Sequence, residues 1–259
     1  MAGISETGHV KNVANFDTLI VAIAGYGGAY NPSKSAIEPV NMGTILQAAG
    51  LNMSEVNMAL SRNSITIAAR EQAFTSLSSL STRILNAVGA CGVSEQIFNA
   101  TRSLVHKLQG RRATPRLTAV EKATLAAAGE TTTEISSSQM GFINRIDFLD
   151  KLIQLLFVMP EYSPNEEDLK PVNLINYYNL LKSTNSQALA TENQLDIARA
   201  SRNETLYRPV EGMVDTAKAA KMYIKSLFGA QSAQYKHVSG LVFRGIKIGA
   251  SQQFVPQPI

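Results

Sequence analysis

The sequence predicts an all-α fold: two tandem-duplicated units resembling four-helix bundles, each built on one long helix, then an extended C-terminal arm. Three observations predict it. Read at alternating steps of four and three, Met42, Leu46, Ala49, Met53, Val56, Leu60, Asn63, Ile67, Arg70 and Phe74 form a stripe in which eight of ten positions are apolar. No proline interrupts the run, so it reads as one helix roughly 50 Å long. A matching stripe follows in the second half, through Leu174, Tyr178, Leu181, Asn185, Ala188, Glu192, Leu195, Arg199, Arg202 and Leu206. Finally, sliding the chain against itself by 132 residues brings like residues together without a gap: Asn12 meets Asn144, Phe16 meets Phe148, and Pro39-Val40-Asn41 meets Pro171-Val172-Asn173.

Taken in order, 1–11 is a leader, 12–110 the first repeat, 111–138 a linker, 139–240 the second repeat and 241–259 the arm. The first helix of each repeat shows one buried face, Phe16, Leu19, Ile20 and Ile23 against Phe148, Leu152, Leu155 and Met159. Tyr30-Asn31-Pro32-Ser33 and Tyr162-Ser163-Pro164-Asn165 are the loops that follow. Pro39 and Pro171 sit near the start of the long helices, where a missing amide proton costs least. Pro209 closes the second long helix and Gly212 marks the turn. A third helix carries Leu80, Ile84, Ala87 and Val88 in one repeat and Met213, Ala217, Ala220, Ile224 and Leu227 in the other. Ser94 is placed to cap a fourth helix bearing Ile97, Leu104, Val105 and Leu108, which is cut short in the second repeat. Within the linker, Thr118 and Glu121 have capping-box spacing and Gly129 a stop position, so a short helix is expected there. Pro256 and Pro258 exclude a helix at the end of the arm, whose anchors are Phe243, Ile246, Ile248 and Phe254.

Composition narrows the function classes. Tryptophan is absent and aromatics are few, which disfavours aromatic-lined ligand clefts. Cys91 is the single cysteine, so no intrachain disulfide or thiolate cluster forms and a reduced compartment is expected. Met1 to Val13 lacks the apolar core of a signal peptide, and the run Leu152 to Met159 is far short of the roughly 20 residues that span a bilayer. A cytoplasmic protein without membrane insertion is expected. A net charge of +4 permits anionic partners without requiring them.

No catalytic constellation emerges. Gly25-Tyr26-Gly27-Gly28 follows a helical stripe rather than a strand and reads as a helix stop. His9, His106 and His237 lack ligands at metal spacing, and Cys91 reads as a small filler. Arg70 and Arg202 occupy equivalent points of the two stripes, where each is expected to find a carboxylate or carbonyl partner and fix register. Lys218, Lys221 and Lys225 share a helical face, and Lys107, Arg111, Arg112 and Arg116 open the linker.

Tyr162-Ser163-Pro164-Asn165-Glu166, Ala198-Arg199-Ala200-Ser201-Arg202-Asn203 and Gln234-Tyr235-Lys236-His237-Val238-Ser239-Gly240-Leu241 resemble a family of bacterial proteins of similar length, of uncharacterised activity, from Bacteroidota-type genomes. The resemblance covers both repeats and implies a cytoplasmic bacterial protein; it supplies no activity or cofactor. The expected function is a structural or self-assembling interaction protein, a homo-oligomer or polymer joined through its repeats and arm, with no enzymatic activity, cofactor or metal. Its expected contact residues are Arg70, Arg202, Lys218, Lys221, Lys225, Phe243, Ile246, Ile248 and Phe254. The alternatives are a nucleic-acid-associated protein using the basic faces of the second repeat and the linker, and a small-ligand carrier or enzyme with its site inside a bundle.

Overall fold

The computed structural model describes residues 6–110 and 141–246, together with Val120, Ala123, Thr124 and Ala127. Among the described residues every regular element is helical: α1 (Glu6–Ala24), α2 (Pro39–Thr75), α3 (Leu77–Ala90), α4 (Glu95–Leu108), α5 (Phe142–Phe157), α6 (Pro171–Tyr207), α7 (Met213–Phe228) and α8 (Ala233–Ser239). The all-α expectation therefore holds. None of these helices is long and apolar enough to cross a membrane. Val120, Ala123, Thr124 and Ala127 are helical, inside the stretch where a linker helix is expected; Thr118, Glu121 and Gly129 lie outside the described residues.

The long helices α2 and α6 each run 37 residues from a proline. The chain enters both in the same way. Tyr30 Oη donates to the Ile37 carbonyl at 2.9 Å, and Tyr162 Oη donates to that of Leu169 at 2.9 Å. Asn41 Nδ2 donates to the Ser35 carbonyl and Asn173 Nδ2 to that of Glu167, both at 2.7 Å. Each tyrosine and asparagine thus ties a one-turn 3-10 segment, Ser35–Ile37 or Glu167–Leu169, to the helix entrance. Ser94 and Ser232 cap α4 and α8, accepting from the amides of Ile97 and Tyr235. Gly92, at φ +73, follows the end of α3, and Gly229, at φ +85, ends α7.

The chain forms two compact units. The first comprises 1–62 and 192–259. Phe16, Leu19 and Ile23 of α1 pack there with Met42, Ala49 and Met53 of α2, Leu206 and Tyr207 of α6, and Ala217, Ala220 and Ile224 of α7. In the same unit Asn52 donates to Thr205 at 2.7 Å while Val56 and Ala59 meet Leu195 and Ala198, so these long-helix segments run antiparallel. The second unit comprises 63–191. Its core joins Phe74, Leu77, Ile84 and Val88 to Val105 and Leu108 of α4, Leu149, Leu152 and Leu156 of α5, and Leu174 and Leu181 of α6. Here Tyr177 Oη donates to the Ala73 carbonyl at 2.8 Å, and the Arg83 guanidinium pairs with Asp168 through both forks.

The repeat boundaries expected at 12–110 and 139–240 do not coincide with these units; each core takes helices from both sequence halves. The physical reason lies in helix length. Thirty-seven residues extend about 55 Å, beyond what one core of ordinary domain size can cover, so one stripe serves two cores. Within the expected leader, Glu6–Lys11 is the first part of α1. Two stripe positions, Leu60 and Glu192, are exposed rather than buried.

Candidate functional site

The start of the C-terminal arm lies in a cradle of the first unit. Helical spacing places His9, Asn12 and Phe16 on one face of α1, and all three are buried. His9 Nδ1 lies 2.6 Å from the Tyr207 hydroxyl, and Asn12 Nδ2 donates to that same oxygen at 3.2 Å. Asn12 then turns its amide on the arm. Nδ2 donates to the Arg244 carbonyl at 2.9 Å while Oδ1 accepts from the Arg244 amide at 3.1 Å. One side chain thereby satisfies both main-chain groups of a residue, as a neighbouring strand would. Asn15 Nδ2 donates to the Val242 carbonyl at 2.9 Å. From α7, Lys221 Nζ donates to the carbonyls of Ser239 at 2.9 Å and Leu241 at 2.7 Å, with the Phe243 ring centroid 6.0 Å away. Burial lowers the pKa of that ammonium.

Leu241, Phe243 and Ile246 pack against the core of the first unit, whereas Val242 is exposed. The cradle reads main chain with its polar groups and the side chains of Leu241, Phe243 and Ile246 with its apolar floor. That is how a protein binds an extended peptide. Of the arm anchors expected from sequence, Phe243 and Ile246 are therefore seated on their own chain; Ile248 and Phe254 lie outside the described residues.

The two stripe arginines are held differently. In the second unit Arg70 Cζ stands 4.2 Å from the Phe142 ring centroid, and Arg145 Cζ stands 5.2 Å from that of Phe74. The two rings meet edge to face at 4.8 Å. Both Nε atoms are buried without a hydrogen bond among the described residues. The carboxylate or carbonyl expected for Arg70 is thus replaced by an aromatic face, which a weakly hydrated planar cation accepts. Burial lowers the pKa of Arg145. Arg202, buried in the first unit, has a carbonyl partner of the expected kind, donating from Nε and Nη2 to the Asn203 side-chain oxygen at 3.2 and 3.0 Å. Sequence reasoning missed Arg145. The available signal was the crossed pattern of Arg70 four residues before Phe74 and Phe142 three residues before Arg145.

The three lysines do not form a free basic face. Lys218 is paired with Asp215 at 3.0 Å, Lys221 holds the arm, and Lys225 stands 5.7 Å from the Tyr235 ring centroid. Arg111, Arg112 and Arg116 lie outside the described residues. Among the described residues no group of three His, Cys, Asp or Glu side chains could hold a metal. A surface depression of about 470 Å³ borders Asp17, Val21, Tyr26 and His237 and includes neither Arg70 nor Arg202.

Fold and site define an all-α chain that binds an extended segment of its own backbone. Comparison with protein-family models, curated proteins and solved structures returned no match.

Proposed function

We propose that the chain is a structural, self-assembling protein, made by duplication of one helical module, whose copies join by exchanging the C-terminal arm. The observation that carries this reading is the cradle of Asn12, Asn15 and Lys221. It holds the arm through main-chain groups, so the same segment from a second copy fits it equally well. Matching helix entrances support the duplication: Tyr30 and Tyr162 make the same bond 132 residues apart, as do Asn41 and Asn173. A cytoplasmic setting in a bacterial cell belongs to the same proposal.

The nucleic-acid reading finds less support, because Lys218 and Lys221 are already engaged within the chain. The test of arm exchange is truncation after Gly240. Light scattering should give a smaller species for the shortened chain than for the full one. Equal masses would overturn arm exchange.

A further inference from the structure

The face of α2 that points away from the core carries bulkier apolar side chains than the equivalent positions of α6. Leu51, Met58 and Ile65 recur every seven residues and are 66%, 52% and 69% exposed. They lie on the side opposite the buried Met53 and Val56. Moving 132 residues along the chain, α6 has the small side chains of Ser183 and Ala190 in place of Leu51 and Met58, and Ile197 in place of Ile65. The charges follow the same division. Glu55 and Arg62 flank the α2 stripe, both exposed and with no hydrogen bond or ion pair among the described residues, whereas α6 has Gln187 and Gln194 there. Two helices that agree in length and entrance thus differ on this face, and the difference is both apolar and charged.

We propose that this stripe is the contact for a second copy of the chain, with the two α2 helices antiparallel and crossing near Met58. This deepens the self-assembly reading and rests on it. At about 100° per residue, Glu55 and Arg62 fall on the same side of the stripe, one turn before and one turn after Met58. A two-fold axis relating antiparallel helices keeps that side in common while reversing direction. Glu55 of each copy then lies beside Arg62 of the other, twice over, and Leu51 meets Ile65. A parallel pair would place each charge across from Ser54 or Ser61 instead, so charge complementarity selects the antiparallel arrangement. Covering the stripe also removes three large apolar side chains from water.

The test is a charge exchange in the full chain, with mass read at about 50 µM because a single helix pair falls among the smaller interfaces. Glu55→Arg alone and Arg62→Glu alone each set like charges together and should lower the assembled mass. An equimolar mixture of the two variants restores both opposite-charge pairs and should regain it, which also shows that each variant is folded. Met58→Cys in a Cys91→Ala background should form a disulfide with its own copy on mild oxidation. Unchanged mass in both charge variants, or a mixture that fails to regain the wild-type mass, overturns the antiparallel contact. Arm truncation that lowers the mass while the charge variants do not would leave self-assembly standing and remove this contact alone. A full chain that is monomeric removes both.

Discussion

Asn12 stands where helical spacing on α1 would place an aliphatic side chain, yet it is buried and spends its amide on Tyr207 and on both main-chain groups of Arg244. Asn12→Leu fits the apolar floor but removes the side-chain partner of the Arg244 amide and carbonyl, a cost of about 0.5–1.5 kcal/mol for each bond. Hydrogen exchange at Val242 to Ile246 should accelerate in this variant while α3 and α4 stay protected; unchanged exchange would deny Asn12 its role. Tyr162 carries a second prediction. Burial, with smaller contributions from Cys91, Glu166 and Asp168, raises its phenol from 10.0 to about 12, and burial likewise raises Tyr30. Above pH 10 the unfolded chain loses these protons while the folded chain keeps them, so stability is full below that pH and falls as pH rises toward 12. Tyr162→Phe should melt lower at neutral pH, having lost its bond to Leu169, yet lose less between pH 10 and 12. At this scale the sequence was least legible. His9, Asn12 and Arg145 are polar residues at buried or half-buried positions, and a search for apolar periodicity passes over them.

The elements themselves were legible where backbone chemistry marks their ends. Pro39 and Pro171 open the long helices, Ser94 caps α4, and Gly212 precedes α7, each as its residue type dictates. The start of α1 was not, because Glu6 to Lys11 contributes no aliphatic stripe. Two glycines separate sterics from flexibility. A Cβ on Gly212 would stand 2.6 Å from the Arg208 amide nitrogen and carbonyl oxygen, so Gly212→Ala must shift the turn into α7. A loss of more than about 2 kcal/mol in urea unfolding is expected. Gly50 has open space around its Cβ position within α2, so Gly50→Ala should stabilise by about 0.5–1 kcal/mol. Similar effects of the two substitutions would contradict this account of the Gly212 turn.

For the molecule as a whole, the paired stripes were readable in sequence because a seven-residue apolar period over many turns admits one local structure. Which helices share a core was not readable, since a stripe specifies that a face is buried without naming its partner. The first unit accordingly unites α1 with α7 and α8, whereas the second unites α3 and α4 with α5. An architecture in which each core draws helices from both halves of the sequence is also one whose parts suit a second copy.

That claim is tested most directly by the native mass of the intact chain across a dilution series reaching about 100 µM, above the range of weak specific complexes. Self-assembly predicts a species that is a multiple of 27.9 kDa at high concentration and dissociates on dilution. A constant 27.9 kDa throughout would contradict it.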